Sequence, residues 1–202
     1  MEQRSDEWIK ARHGKFSASE VYKLMGIKGL GETGKSYAIE KAIEQLYGDM
    51  EEDFTSYDMQ RGIELEPLAF AKFKEIKELD FIEVKNCSFF KIDDHSGTSP
   101  DGIVGKNDVL EIKCPKSTTF FKLIADGEVD KKYFYQMQMQ MLSTGGKQAH
   151  FFNYLVHDGE EYNHEIIVPR CEKTIELMQE RIKEAIEIKN EYIKKIQTNK
   201  QF

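Results

Sequence analysis

The hydrophobic period of the chain changes near residue 80, and that change limits the folds available to it. Up to residue 77 apolar residues recur at helical spacing. From residue 81 they alternate in short runs broken by turn residues, and the last stretch is helical again. Residues 5–13, 17–25, 36–48 and 57–77 read as helices. Ser17 is the expected N-cap of the second, with Glu20 completing a capping box. Ala38, Ile39, Ala42, Ile43 and Leu46 share a face of the third, and Pro67 starts or kinks the fourth. Residues 81–92, 98–104 and 108–113 read as strands, and 117–126 and 132–143 as helices. Residues 148–157 and 161–168 read as a hairpin across Asp158-Gly159. A final helix, 171–197, carries Ile175, Met178, Ile182, Ala185 and Tyr192 on one stripe. This order predicts an α/β fold with a mixed, largely antiparallel central sheet flanked by helices. With 202 residues and no linker or repeat, one domain spanning 1–202 is expected.

Composition narrows the setting. No apolar run reaches the ~20 residues of a membrane helix, and the charged N-terminus lacks a signal-peptide core. Cys87, Cys114 and Cys171 are scattered, so buried structural thiols in a reducing, cytoplasmic setting are expected. The five histidines lack ligand spacing and read as structural or surface residues. The net charge of -7 argues against a uniformly basic nucleic-acid binder. Residues 10–35, however, hold six basic residues against two acidic ones, which allows one basic surface.

Two motifs suggest chemistry. GLGETGKS, residues 29–36, matches the phosphate-cradling P-loop in letters. The segment before it, SASEVYKLMGIK, has helical spacing and not the buried strand that would aim such a loop. The expected structure is a Gly-rich surface loop with Ser36 capping the next helix, and a P-loop ATPase is the lesser alternative. The second motif lies in TSPDGIVGKNDVLEIKCPK, residues 98–116. Here Asp101, Glu111 and Lys113 form the P-D…(D/E)-x-K pattern of magnesium-dependent nucleases. Alternation puts Glu111 and Lys113 on one face of their strand and Ile112 on the other, toward the core. Mg²⁺ favours hard oxygen ligands such as Asp101, Glu111 and the Ile112 carbonyl, and Lys113 would orient a water and oppose phosphate charge. A regular hairpin around a four-residue loop would set Asp101 opposite Ile112, so an odd-length connection or a bulge is predicted.

The whole chain from about Trp8 onward resembles lambda exonuclease and the YqaJ-type viral recombinase nucleases, within the PD-(D/E)xK superfamily. The likeness rests on WIKARHGKFSASEV (8–21), RGIELEPLAFAKF (61–73), GTSPDGI (97–103), LEIKCPK (110–116), YFYQMQMQML (133–142) and FFNYLVHD (151–158). It implies a restriction-endonuclease-like core and a Mg²⁺-dependent 5′-to-3′ exonuclease, with Mn²⁺ able to substitute. The substrate implied is linear double-stranded DNA, and the product a 3′ single strand for recombination. Glu66 would complete the metal site, Gln136 would lean over it, and Arg12 and Ser19 would hold the 5′-phosphate. Lys28, Lys35 and Gln138 are further expected DNA contacts, and Trp8 is expected in the core. A trimeric ring and a single-strand annealing partner are implied by the resemblance alone. A structure-specific endonuclease of the same fold, or a binding module that has lost catalysis, are alternatives.

Overall fold

The computed structural model describes residues 5–48 and 57–199. Helix α1 (Asp6–Arg12) is capped by Ser5, whose hydroxyl accepts from the Trp8 amide at 3.3 Å. The expected helix over 17–25 does not form. Phe16–Ser17 is instead a short strand, β1, paired in parallel with a distant segment, and Val21–Leu24 make one 3-10 turn. The capping box is absent: Glu20 precedes the turn without a side-chain cap and pairs with Lys23 at 2.5 Å. Long-range pairing and burial of Phe16, Ala18, Val21 and Leu24 override the local capping signal.

Helix α2 (Gly31–Tyr47) starts earlier than the sequence suggests and takes GETGKS as its first two turns. Gly34 already donates to the Leu30 carbonyl at 3.1 Å, and Ser36 lies inside the helix, so it is not a cap. A 3-10 turn and a loop precede this motif where a P-loop needs a strand. The glycines serve the turn: Gly29 and Gly31 have φ of 124° and 60°. Helix α3 (Tyr57–Leu79) runs on through Pro67.

The predicted strands 81–92 and 98–104 are each split. They become β2 (Val84–Lys85), β3 (Phe90–Lys91), β4 (Ser96–Thr98) and β5 (Gly102–Val104). Pro100, which lacks an N–H, lies at the second break. β6 (Asp108–Lys113), β7 (Gln148–His157) and β8 (Glu160–Pro169) follow the sequence reading closely, as do α4 (Ser117–Asp126) and α5 (Lys131–Thr144). One sheet has the order β1-β4-β3, the other β2-β5-β6-β7-β8. The larger sheet is mixed: β6 and β7 run parallel, joined by the α4–α5 crossover, and its other pairs are antiparallel. The β7–β8 hairpin turns on Asp158 and Gly159, at φ of 52° and 82°, as an Asp-Gly turn of this hand requires.

Alternation along β6 and β7 divides the core. Leu110, Ile112, Phe152 and Tyr154 face α3, with Ala69 and Phe73. Val109, Ala149 and Phe151 face α5, with Met137 and Met141. A third cluster joins Phe16, Val21, Leu24, Tyr37 and Met139 to α6 (Glu172–Asn199). Helix α6 buries Ile175, Met178, Ile182 and Ala185 as expected, while Tyr192 is only half-buried. The next stripe position is Lys189, whose Nζ donates to the Gly14 carbonyl in the α1–β1 loop. His150 is buried against Glu165, 2.5 Å away, which also pairs with Lys77 at 2.8 Å. Among the described residues no helix is long and apolar enough to cross a membrane.

Candidate active site

The β5–β6 hairpin sets the acidic end of the site. Gly102 pairs with Leu110, Ile103 with Val109 and Val104 with Asp108, leaving the odd, three-residue connection 105–107. Continued one step, this register puts Asp101 across from Glu111 and on its face. Pro100 has ended the strand, yet the ladder is prolonged. The Asp101 amide donates to the Leu110 carbonyl at 3.0 Å, and the Asp101 carboxylate accepts from the Ile112 amide at 2.6 Å. Glu111 is 1% exposed. Its Oε1 accepts from Lys113 Nζ at 2.5 Å and Gln136 Nε2 at 2.6 Å, and its Oε2 from Gln140 Nε2 at 2.6 Å.

Burial first, and then the charge of Glu111, hold the Asp101 carboxyl well above the usual range; Lys113 and the Ile112 amide only partly offset this. Burial alone would lower the Lys113 ammonium, but Glu111 and Asp101 outweigh it and raise it above its ordinary value. Asp101 and Lys113 are enclosed by protein except where they meet the pocket; the Lys113 side chain is 28% exposed. Two acids thus share one ammonium, and a third acid, Glu66, lines the same pocket of ≈ 240 Å³. Among the described residues no three acidic, histidine or cysteine side chains close into a ready cage. Two facing carboxylates with a third on the wall nevertheless suit a hard octahedral cation that keeps several waters.

The opposite end is cationic. Arg12 stacks over Trp8 at 4.0 Å, and Trp8 Nε1 donates to Ser99 Oγ at 2.9 Å. Among the described residues no carboxylate forms a salt bridge with Arg12. Burial draws its guanidinium below the ordinary value, with Tyr37, Glu44 and Glu20 pulling it back. Ser17 and Ser19, whose hydroxyls lie 3.1 Å apart, line the same pocket. An adjoining hollow of ≈ 250 Å³ shares Trp8, Arg12 and Ser17 and adds Lys15 and Lys41, with Glu44. An anion of phosphate size in this pocket would meet a bidentate donor and two hydroxyls.

Residues 7–147 match the YqaJ-like viral recombinase domain. The chain belongs to that family. It is also similar to the crystal structure of the alkaline exonuclease LHK-Exo from Laribacter hongkongensis, at 28% identity and a TM-score of 0.84 over 96% of this chain and 97% of that one. The same exonuclease in complex with dAMP gives 29% identity and a TM-score of 0.82, with the same coverage. A phage-related exonuclease from Haemophilus somnus 129PT, 19% identical with a TM-score of 0.69 over 93% and 99% of the two chains, speaks for the fold alone. No curated protein sequence matches the chain significantly. The mixed five-stranded sheet with flanking helices is the restriction-endonuclease-like arrangement of these exonucleases.

In this YqaJ-like chain, Asp101, Glu111, Lys113, Gln136, Glu66, Arg12 and Ser19 all line one pocket. Ile112 sends its side chain into the α3 core, as alternation predicts. The structure revises the expectations for Trp8, Gln138 and the cysteines. Trp8 is a half-buried wall of the pocket, because the short α1 buries none of its residues. Ser19 precedes a 3-10 turn, and no α-helix begins there. Gln138 is fully buried and structural: it donates to the Pro169 carbonyl at 2.9 Å and accepts from the Cys171 amide at 2.8 Å, tying α5 to α6. Lys28 and Lys35 are not among the residues of this pocket and line a groove with Glu184, Glu187 and Glu191. The cysteines are half-buried rather than buried, and Cys87 donates to the Pro100 carbonyl at 2.9 Å. Sequence reasoning missed Gln140, although its place one helical turn after Gln136 puts both on one face.

Proposed function

We propose that this chain, acting as one domain over residues 1–202, is a divalent-metal-dependent DNA exonuclease. It would enter linear duplex DNA at a 5′-phosphorylated end and degrade one strand 5′ to 3′, leaving a 3′ single strand for recombination. The observation that carries this reading is a single pocket lined by the Asp101–Glu111–Lys113 cluster, with Glu111 buried, and by Arg12, which forms no salt bridge among the described residues. The relative crystallised with dAMP adds support, since a deoxynucleoside monophosphate is the unit an exonuclease releases.

Asp101 and Glu111, with the Ile112 carbonyl and Glu66, are the residues that would hold Mg²⁺, for which Mn²⁺ can substitute. Such an ion supplies Lewis-acid polarisation of the scissile phosphate and a more acidic water. Lys113 sets a fixed positive charge beside the phosphate oxygens where negative charge develops. Gln136, 7% exposed, orients water or phosphate from the pocket wall. Arg12 forks onto the terminal phosphate, with Ser19 as a hydroxyl donor. Anchoring the 5′-phosphate beside the hydrolytic end makes the first internucleotide bond the one attacked. Three copies arranged as a ring around DNA, and transfer of the product strand to an annealing protein in the cytoplasm, complete the proposal.

The test is a linear duplex with a phosphate on one 5′ end and a hydroxyl on the other, incubated with Mg²⁺ beside a closed circle. Loss of the phosphorylated strand alone, with the circle intact and Lys113→Ala inactive, is expected. A cut circle would replace the exonuclease with an endonuclease. No cleavage by folded protein would end the nuclease reading.

A further inference from the structure

The family's nuclease motif ends at the pocket surface, but the hydrogen bonds continue one layer deeper. Gln140 is 0% exposed and does not line the pocket. Its Nε2 donates to Glu111 Oε2 at 2.6 Å, the oxygen that Lys113 and Gln136 leave untouched. Its own Oε1 has no hydrogen-bond partner among the described residues. A buried carbonyl without a partner is destabilising. A residue like its neighbours Met139 and Met141 would fill the same space without that penalty. Packing does not account for this amide, whereas Glu111 does. Turning the amide over would set its oxygen against the carboxylate, so only one orientation fits.

The same turn of α5 reaches the strand that precedes the other acid. Ser143 Oγ donates to the Gln140 backbone carbonyl at 2.8 Å and lies 2.6 Å from Thr98 Oγ1, three residues before Asp101. Ser99, next to Thr98, holds the Trp8 indole on which Arg12 stacks. We propose that Gln140 is a positioning residue that fixes the carboxylate plane of Glu111 for a divalent cation, from a helix that also ties down the strand leading to Asp101. This inference rests on the nuclease reading of the pocket, yet its test does not depend on cleavage. A positioning partner behind a metal-ligating carboxylate typically governs affinity by about 10–100-fold.

The experiment uses Gln140→Met in the full chain. Trp8 is the sole tryptophan and lines the pocket, so quenching of its fluorescence by Mn²⁺ reports occupancy without DNA. The expected result is a Mn²⁺ midpoint raised about 10-fold, with the melting temperature of the metal-free protein near wild type. Cleavage should lose kcat while KM for DNA holds, because Gln140 cannot touch substrate. An unchanged midpoint beside a lowered melting temperature would overturn the inference in favour of a purely structural glutamine. Should Gln140→Met fail to fold, Gln140→Asn decides by the same titration, its amide drawn back by about 1.5 Å, one C–C bond. If neither folds, the structural role stands and the inference is lost. If wild type binds Mn²⁺ but cuts no DNA, the nuclease reading fails while the titration still judges Gln140.

Discussion

The two ends of the pocket are held in different ways. At the acidic end, Glu111 alone receives three side-chain hydrogen bonds, and Asp101 is bound into the sheet by two bonds involving its own backbone and side chain. At the cationic end, among the described residues, Arg12 rests on the Trp8 ring and Ser19 on a contact with the Ser17 hydroxyl. The acidic end is built for a fixed geometry that cannot relax, as charge stabilisation requires. Among the described residues the cationic end keeps donors to spare, as the proposed binding and release of a terminal phosphate would require.

The comparison can be broken most sharply at Glu111. Glu111→Gln removes a carboxylate from the fixed end and should lower the cleavage rate on the order of 10³-fold, measured by strand release from end-labelled duplex. DNA-end affinity should change little, since Arg12 is untouched; a large loss of binding would show that the two ends do not act separately.

The next largest effect concerns what supports the cationic end. Burial draws the Lys189 ammonium down to about 8, from an ordinary 10.5. Below pH 8 it is charged in folded and unfolded chains alike, and the full burial penalty applies. Between pH 8 and 10.5 the folded chain sheds the proton first, so stability rises with pH. Lys189→Met removes this titration. Its stability relative to wild type should fall by roughly 3 kcal/mol from pH 8 to pH 10.5, followed by thermal melts at stepped pH. A gap that stays constant would mean Lys189 is not charged against its surroundings.

Arg12→Ala should cost about 10–100-fold on 5′-phosphorylated ends, the worth of a charged hydrogen bond, and almost nothing on 5′-hydroxyl ends. Equal losses on both would assign Arg12 to general DNA contact. The smallest effect is expected at Lys35→Ala. Lys35 is exposed, 3.0 Å from Glu32 and outside the pocket, so cleavage should change less than about 2-fold. A larger change would bring the GLGETGKS segment back into the mechanism.

The acidic end was far more legible in the sequence than the cationic one, for a physical reason. Asp101, Glu111 and Lys113 sit on one hairpin, where period-2 alternation and loop length determine which side chains meet. The β7–β8 hairpin and α4 to α6 were equally readable, since each is long and locally periodic. The cationic end depends on two-residue β1 pairing with β4, eighty residues away, and no local pattern announces that contact. There the capping letters of Ser17 and Glu20 pointed to a helix that tertiary pairing prevents. Trp8 was read as core for the same reason: its partner, Ser99, is distant in the chain. Gln140 was hidden in an alternating Met–Gln run in which Gln136 through Met141 are all buried, so polarity did not mark an exposed face.

The basic hollow of Arg12, Lys15 and Lys41 sits on a chain of net charge -7. A DNA end approaching from afar meets repulsion, and meets attraction only within about one Debye length, ~10 Å at 0.1 M salt. Added salt screens both fields at once. It weakens the grip on phosphate and eases the approach, two effects of opposite sign on association. Capture of DNA ends should therefore fall with ionic strength less steeply than the number of basic side chains at the entrance would suggest.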